Sequence, residues 1–444
     1  MPSFRCFLGA LISLLSPTLV SSLPAALASG PMLGPVEMRE ARIWIQAEEP
    51  SLVRVRYSVN ESGEEHFTAP VQTHAALANT ATLHLTELQP GQAYTYQVEI
   101  DGELLPEEHR FSVPAFYQDR SPPPDFTIAV GGAHYVPQEG FEPPYQTLGG
   151  GNAIFESIRE INPQLMLWLG NTAHLRVSDW ASQSGYLKRY QHARSPGELA
   201  PLLATVPHYA TWGEADYGSP GAGAASSYRQ VAETAFRAFW PQPVEVPSGA
   251  GLVTRFRYAD VDFFLLDTRS QRNDRPISSE PAQILGEAQI EWLRQELIRS
   301  DASFKVIAAG APILNPADSR SNLRHAKEEH TALLQTLRSE AIPGLFFISG
   351  GKYYGELTRL VHSSSYNLYD LTVGPLTAKP RENQDELNYF RMPGTSTFER
   401  HFARLDVSGP EEARELTLRI LDTRGELIWT RTIPAAELQP ESAE

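Results

Sequence analysis

The tightest constraint on the fold is a change of hydrophobic period at the stiff segment Ser121-Pro-Pro-Pro-Asp125. Before it, Arg42-Ile-Trp-Ile-Gln46, Val53-Arg-Val-Arg-Tyr57, Ala81-Thr-Leu-His-Leu85 and Tyr94-Thr-Tyr-Gln-Val-Glu-Ile100 alternate apolar and polar residues. A period of two belongs to strands with one buried face. Pro90-Gly91 and Asp101-Gly102 supply turn signals between them. Residues 29–115 are therefore predicted to form a small β-sandwich of immunoglobulin or fibronectin type, a module that more often supports a site than carries one. Residues 116–125 read as an extended, Pro-rich linker.

Past the linker the pattern alternates between buried strands and amphipathic helices, which predicts an α/β domain over 126–434. Phe126-Thr-Ile-Ala-Val130, Leu165-Met-Leu-Trp-Leu169, Phe304-Lys-Val-Ile-Ala-Ala309 and Leu345-Phe-Phe-Ile348 are continuous apolar strands. Ile154, Phe155, Ile158 and Ile161 share one helical side, as do Ile290, Leu293 and Leu297, and Leu333, Leu334 and Leu337. Residues 254–258 and 261–266 read as a hairpin across Ala259-Asp260, and 416–420 with 427–432 as a closing hairpin. Residues 435–444 are an acidic tail.

The first 28 residues read as a secretory leader. Arg5 gives a cationic start, the stretch from Cys6 to Val20 is mostly apolar, and Ala26-Leu27-Ala28 offers small residues for a cut before Ser29. The apolar stretch is too short to cross a bilayer comfortably and is broken by Pro17, so no membrane span is expected after cleavage. The expected destination is the periplasm or the extracellular space. Cys6 is the single cysteine, which excludes intramolecular disulfides and thiolate zinc sites. A net charge of −16 argues against nucleic acid or an anionic membrane as partner. Asn60-Glu-Ser62 would accept a glycan only in a eukaryotic secretory host.

Ligands of α/β sheets bind beyond the carboxyl ends of the strands. Those ends carry Gly131-Gly-Ala-His134, Gly170-Asn-Thr-Ala-His174, Asp267-Thr-Arg269 and Ser349-Gly-Gly-Lys-Tyr353. His134 and His174 are either metal ligands or hydrogen-bonded loop residues. Glu214, Asp216 and Glu356 could join Asn171 in a single-metal site. Asp267 with Arg269, and Arg176 with Asp179, are expected as structural ion pairs. Lys352 is either a charge in a pocket or a solvated loop residue. The stretch 218–227, rich in Gly, Ala and Ser, is expected to be a flexible loop.

Over nearly all of the chain past the leader, these and neighbouring motifs resemble the alkaline phosphatase D (PhoD-like) family of secreted metallophosphatases. The resemblance is carried by Gly30-Pro-Met-Leu-Gly-Pro-Val36, Leu167-Trp-Leu-Gly-Asn171, Ala210-Thr-Trp-Gly-Glu-Ala-Asp-Tyr-Gly218, Asp262-Phe-Phe-Leu-Leu-Asp-Thr-Arg269, Leu285-Gly-Glu-Ala-Gln-Ile-Glu-Trp-Leu293 and Ser349-Gly-Gly-Lys-Tyr-Tyr-Gly-Glu-Leu357. It implies a calcineurin-like core of two packed sheets flanked by helices. It also implies a two-metal site, with ions such as iron and calcium, that hydrolyses phosphate mono- or diesters.

Inside each motif the implied ligands are replaced. Ala133 stands where the family has Cys, and Asn171 where it has Asp. Trp212-Gly213-Glu214-Ala215-Asp216 stands for Trp-Asp-Asp-His-Asp, and Ser349-Gly350-Gly351-Lys352-Tyr353 for Ser-Gly-Asp-Arg-His. Two cations about 3.5–4 Å apart need several carboxylates, one of them bridging. No bound metal or other cofactor is therefore expected. Gly170, Trp212, Tyr217, Ser349 and Gly350 are expected to hold the old geometry. The reading is an exported, non-catalytic relative that binds a ligand or an exported protein partner. The alternatives are an active phosphomonoesterase or phosphodiesterase with a rebuilt metal site, and a structural or adhesive module.

Overall fold

The computed structural model describes residues 26–59, 63–244, 249–273, 281–361, 365–381 and 386–440. The leader up to residue 25, the glycan motif at 60–62 and the last four residues of the acidic tail lie outside them.

Among the described residues, nine short strands build the first module. They are β1 (Leu27–Val36), β2 (Ala41–Ala47), β3 (Leu52–Val59), β4 (Glu65–Phe67), β5 (Val71–Gln72), β6 (Thr80–Leu85), β7 (Ala93–Ile100), β8 (Glu103–Leu104) and β9 (His109–Ser112). One sheet runs β1-β2-β6 and the other β4-β3-β7-β8, with β5 beside β3 and β9 beside β7. Every second residue points inward, so Leu33, Ile43, Ile45, Val53, Val55, Leu83 and Val98 form one apolar layer between the sheets. The outward Arg54 faces Glu99 across β3 and β7 and pairs with it at 2.7 Å.

The core opens with β10 (Phe126–Gly131), α1 (Ile154–Glu160), β11 (Leu165–Leu169), α2 (Gln183–Ala193), α3 (Ala200–Thr205), β12 (His208–Thr211), α4 (Glu214–Tyr217) and α5 (Arg229–Phe239). It continues through β13 (Thr254–Tyr258), β14 (Val261–Leu266), α6 (Glu287–Arg299), β15 (Phe304–Ala309), α7 (Lys327–Ser339), β16 (Leu345–Ser349), β17 (Glu356–Leu360) and β18 (Leu368–Thr372). It closes with β19 (His401–Ser408), β20 (Glu415–Asp422) and β21 (Leu427–Pro434). Two six-stranded sheets result, ordered β12-β11-β10-β19-β20-β21 and β13-β14-β15-β16-β18-β17.

The continuous apolar runs are explained by burial on both faces. Ile128, Val130, Leu167 and Leu169 meet Phe263, Leu265, Val306 and Phe346 between the sheets. The alternate residues Ala129, Met166 and Trp168 face outward to the layer built by α1, α2, α3 and α5. On the far side Phe264, Ile307, Ala309 and Phe347 meet the apolar faces of α6 and α7. The sandwich is docked on the first helical layer. Trp44 Nε1 donates to Ala238 O at 2.7 Å, and Tyr96 hydroxyl to Ala204 O at 2.7 Å.

Some boundaries differ from the sequence reading. The sandwich begins at Leu27, ahead of Ser29, because that residue already pairs with Ala47. Ala435–Leu438 is not a free tail. It forms a helical turn that buries Leu438 in the core, and the Leu438 carbonyl accepts from Gly344 N at 2.8 Å. The 218–227 stretch is tied in place, with Tyr217 hydroxyl donating to Gly223 O and Ala224 N to Arg272 O.

The linker is pinned by Arg414, whose side chain is fully buried. It donates to Pro124 O at 2.9 Å, Asp125 Oδ1 at 2.9 Å, Gly409 O at 2.7 Å and both oxygens of Asp260 at 2.8–2.9 Å. Replacing Arg414 by Leu leaves the nearly buried Asp260 without its cation. Removing one partner of a buried pair costs about 3–5 kcal/mol. A denaturant titration of Arg414→Leu is expected to show a loss of that size.

Candidate functional site

The carboxyl ends of β11 and β12 meet those of β15 and β16 so closely that the connecting backbones touch. A Cβ on Gly350 would lie 2.1 Å from Leu169 O, and one on Gly310 2.1 Å from Trp212 O. At their junction is a small cavity of about 200 Å³, lined by Asn171, Leu175, Trp180, Glu214, Ala215, Arg269, Ser321, Gly351 and Tyr353 among others. Leu175, Trp180 and Ser321 escape sequence reasoning, because no motif marks them.

Asp216 is the one carboxylate that the Trp212-to-Asp216 motif keeps unchanged, and its oxygens are in use. Oδ1 accepts from Thr172 N at 2.6 Å and Ala173 N at 2.7 Å, and Oδ2 from Gly213 N at 2.8 Å. It is buried, does not line the cavity, and ties the loop after β11 to the start of α4. Burial pushes its pKa up, and those backbone donors pull against the rise. Asn171 adds a second tie, its Oδ1 accepting from Ala215 N at 2.9 Å.

The two histidines are neutral structural groups. His174 Nδ1 lies 2.9 Å from His134 O and Nε2 3.1 Å from Tyr353 hydroxyl. A carbonyl only accepts, so Nδ1 carries the proton and Nε2 accepts from Tyr353. Burial, helped by nearby Arg189, lowers the His174 pKa to about 3. Burial raises that of Tyr353 to about 12. His134 Nε2 meets Ala193 O and Nδ1 meets Thr377 Oγ1, each at 2.8 Å, and burial lowers its pKa to about 4.

The remaining candidates are also engaged. Lys352 is neither a free pocket charge nor solvated. Its ammonium is buried, 2.7 and 2.8 Å from the two oxygens of Glu386 and 2.6 Å from Ser321 Oγ. Glu356 is fully buried and accepts from Asn315, Asn388 and Arg391. It does not join Asn171 and Glu214 at the cavity. Asp267 and Arg269 are linked through the Arg269 backbone N–H, because the Asp267 carboxylate also gathers Trp212 Nε1, Leu252 N and Ser270 N. The Arg269 side chain reaches Glu214 at 3.3 Å instead. Arg176 pairs with Glu142 at 2.8 Å and meets Asp179 through its backbone, its N–H donating to Asp179 Oδ2 and its carbonyl accepting from Asp179 N.

The two-cation centre implied by the resemblance does not fit these residues. Ala133 keeps a left-handed backbone (φ +53°) but offers only a methyl group. A Cβ on Gly213 would lie 2.3 Å from Asn171 Oδ1 and 2.7 Å from Asn171 N. One on Gly351, at φ +75°, would lie 2.4 Å from Gly310 O. Backbone and amide groups thus occupy the room that ligand side chains would need. Among the described residues no three His, Cys, Asp or Glu side chains are grouped to share an ion.

Comparison with protein families matches residues 150–426 to the PhoD-like phosphatase model and residues 24–117 to a domain of unknown function, DUF7800. No curated protein matches. The solved structure of PhoD is 16% identical and superposes with a TM-score of 0.69, covering 93% of this chain and 91% of that one. Purple acid phosphatase PPD1 from yellow lupin (Lupinus luteus) seeds is 13% identical, with a TM-score of 0.68 over 91% of this chain and 74% of that one. At such identities these two likenesses speak for the fold alone.

The close contacts and the buried imidazoles are both open to measurement. Gly213→Asp and Gly351→Asp, made singly, are each expected to lower the unfolding midpoint, since a side chain must displace backbone. Wild-type midpoints for both would contradict the close contact. The histidines, held below their free value of 6.5, contribute stability that is complete above pH 6.5 and is lost as pH falls from there through about 4 and then about 3. His174→Gln should flatten the fall in thermal midpoint between pH 6.5 and 3.

Proposed function

The chain belongs to the PhoD-like phosphatase family, and on that premise we propose that it keeps the family's fold without phosphate-ester turnover, acting as an exported protein that binds a ligand or a protein partner. The observation that carries this reading is the use made of Asp216. A carboxylate that accepts backbone N–H groups at both oxygens is a loop tie and has little left to offer an ion. The replaced positions Ala133, Asn171, Gly213, Ala215 and Gly351 support the same reading, as do the ion-paired Lys352 and the Tyr353–His174 pair. Export is supported by the leader, and the family's metals are not part of the proposal.

The rival reading, a hydrolase with a rebuilt site, draws on Asn171 and Glu214, which do share the cavity. Glu214 is half exposed, but one of its oxygens is engaged by Arg269 and by Gly221 N at 2.8 Å. The third reading, adhesion through the sandwich, would place binding in residues 29–115 alone.

The test is an assay of the purified natural protein with p-nitrophenyl phosphate and its diester, each with added iron, calcium, manganese or zinc. Two-metal centres lower barriers by many kcal/mol, so the expected rate is several orders of magnitude below that of a working centre. Metal analysis is expected to find no stoichiometric ion, and a strong chelator to leave the melting temperature unchanged, since no bound ion then adds linkage energy. Robust turnover abolished by the chelator would establish the rebuilt site instead.

A further inference from the structure

Where the sandwich meets the helical layer, the two modules do not close fully on each other. A cavity of about 630 Å³ lies between them, walled by Leu27 and Pro31 of β1, Val98 of β7 and Leu105 after β8 on one side, and by Ala200 and Ala204 of α3 on the other. Protein interiors are normally packed without gaps of this size. The residues that line this one are too short or too stiff to fill it: Gly30, Ala200 and Ala204 carry a methyl group or nothing, and Pro31, Pro106 and Pro201 are rigid rings. The bond from Tyr96 hydroxyl to Ala204 O, 2.7 Å long, fixes the spacing of β7 and α3 beside it. Several hundred Å³ with apolar walls and few polar groups is the form of a small-molecule site.

The exposed lining residues Pro106, Glu107, Arg159, Pro201 and Thr205 mark its mouth. Thr205 hydroxyl is already used, donating to Pro201 O at 2.8 Å. Arg159, in the last turn of α1, pairs with Glu156 only at 4.0 Å, with both side chains exposed, and such a pair holds its partners weakly. Glu107 stands on the sandwich side. His109 is partly buried, its ring centroid 5.2 Å from that of Tyr96, and burial holds its pKa below the ordinary value against the pull of Glu107.

We propose that this cavity binds a straight-chain aliphatic carboxylate of the fatty-acid type, with its chain between the sandwich and α3 and its head group on Arg159 at the mouth. A ligand with polar groups along its length would leave them unpaired against these walls, whereas an unbranched chain has none to lose. The planar guanidinium offers paired donors that match a carboxylate. Glu107 repels that head from the sandwich side, and the neutral His109 ring adds an N–H donor. The site shares no lining residue with the strand-end cavity, so it stands or falls apart from the loss of phosphate-ester turnover.

The experiment is calorimetric titration of the natural protein with octanoate, decanoate and dodecanoate below their micelle concentrations, and with decanol and decylamine. A buried methylene is worth about 0.8 kcal/mol, so affinity is expected to rise about fourfold per added carbon until the cavity is full. Decanoate is expected to bind more tightly than decanol. Arg159→Gln should bring decanoate down to the level of decanol and leave decanol unchanged. Ala200→Trp, which fills the cavity, should abolish binding with the thermal midpoint kept; if that variant does not fold, Arg159→Gln, at an exposed position, carries the test. Absence of binding at every chain length, an affinity that does not depend on chain length, or undiminished binding by a folded Ala200→Trp would overturn the site. Decylamine binding more tightly than decanoate, or decanoate indifferent to Arg159→Gln, would overturn the carboxylate assignment.

Discussion

Backbone N–H groups that leave water must find acceptors, and the strand-end loops here have no ladder to supply them. Buried acids do so. Asp216 serves Thr172, Ala173 and Gly213, Asp267 serves Leu252, Arg269 and Ser270, and Asp370 serves Ile313 and Leu314. Glu329, only partly buried, likewise gathers Ile284, Leu285 and Gly286 just ahead of α6. An orphaned buried donor costs about 1–3 kcal/mol, so each acid secures several such amounts at once. The arrangement holds the loops by hydrogen bonds from the chain itself. In a metal centre the same loops would be drawn together by shared cations.

Much of the fold is legible in the sequence because both periods are strong. The hairpin at 254–258 and 261–266 and the strand at 304–309 stand where the apolar pattern puts them. The sandwich follows from plain alternation. Other elements leave weaker marks. β12 has only four residues, and β17 is fully buried in its first three positions, Glu356, Leu357 and Thr358, two of them polar. Their polar side chains are satisfied by partners far along the chain, which no local window can show. α1 ends at Glu160, because Ile161 is already a cap residue.

The convergence of the strand ends was legible in the sequence, and the bonds that fill it were not. Glycines at the strand ends correctly marked where backbones converge. What they could not reveal is that the convergence is filled by protein. His134 finds Thr377 and Ala193, Lys352 finds Glu386, and Asp267 finds Trp212, over separations of 34 to 243 residues. Such pairings are set by the order of strands in the two sheets. An isolated histidine or lysine in the sequence carries the same letter whether it waits for a ligand or has already spent its hydrogen bonds.

The contact between Gly213 and Asn171 also couples the two positions to each other. A Cβ on Gly213 would lie 2.3 Å from Asn171 Oδ1 and 2.7 Å from Asn171 N, so a larger side chain there runs into the facing loop. Asn171 Oδ1 in turn holds Ala215 N, so moving it aside releases the start of α4. Substitutions at 171 and 213 are therefore not independent: a change at one is felt as a packing change at the other, and only changes made together can open the space between the loops.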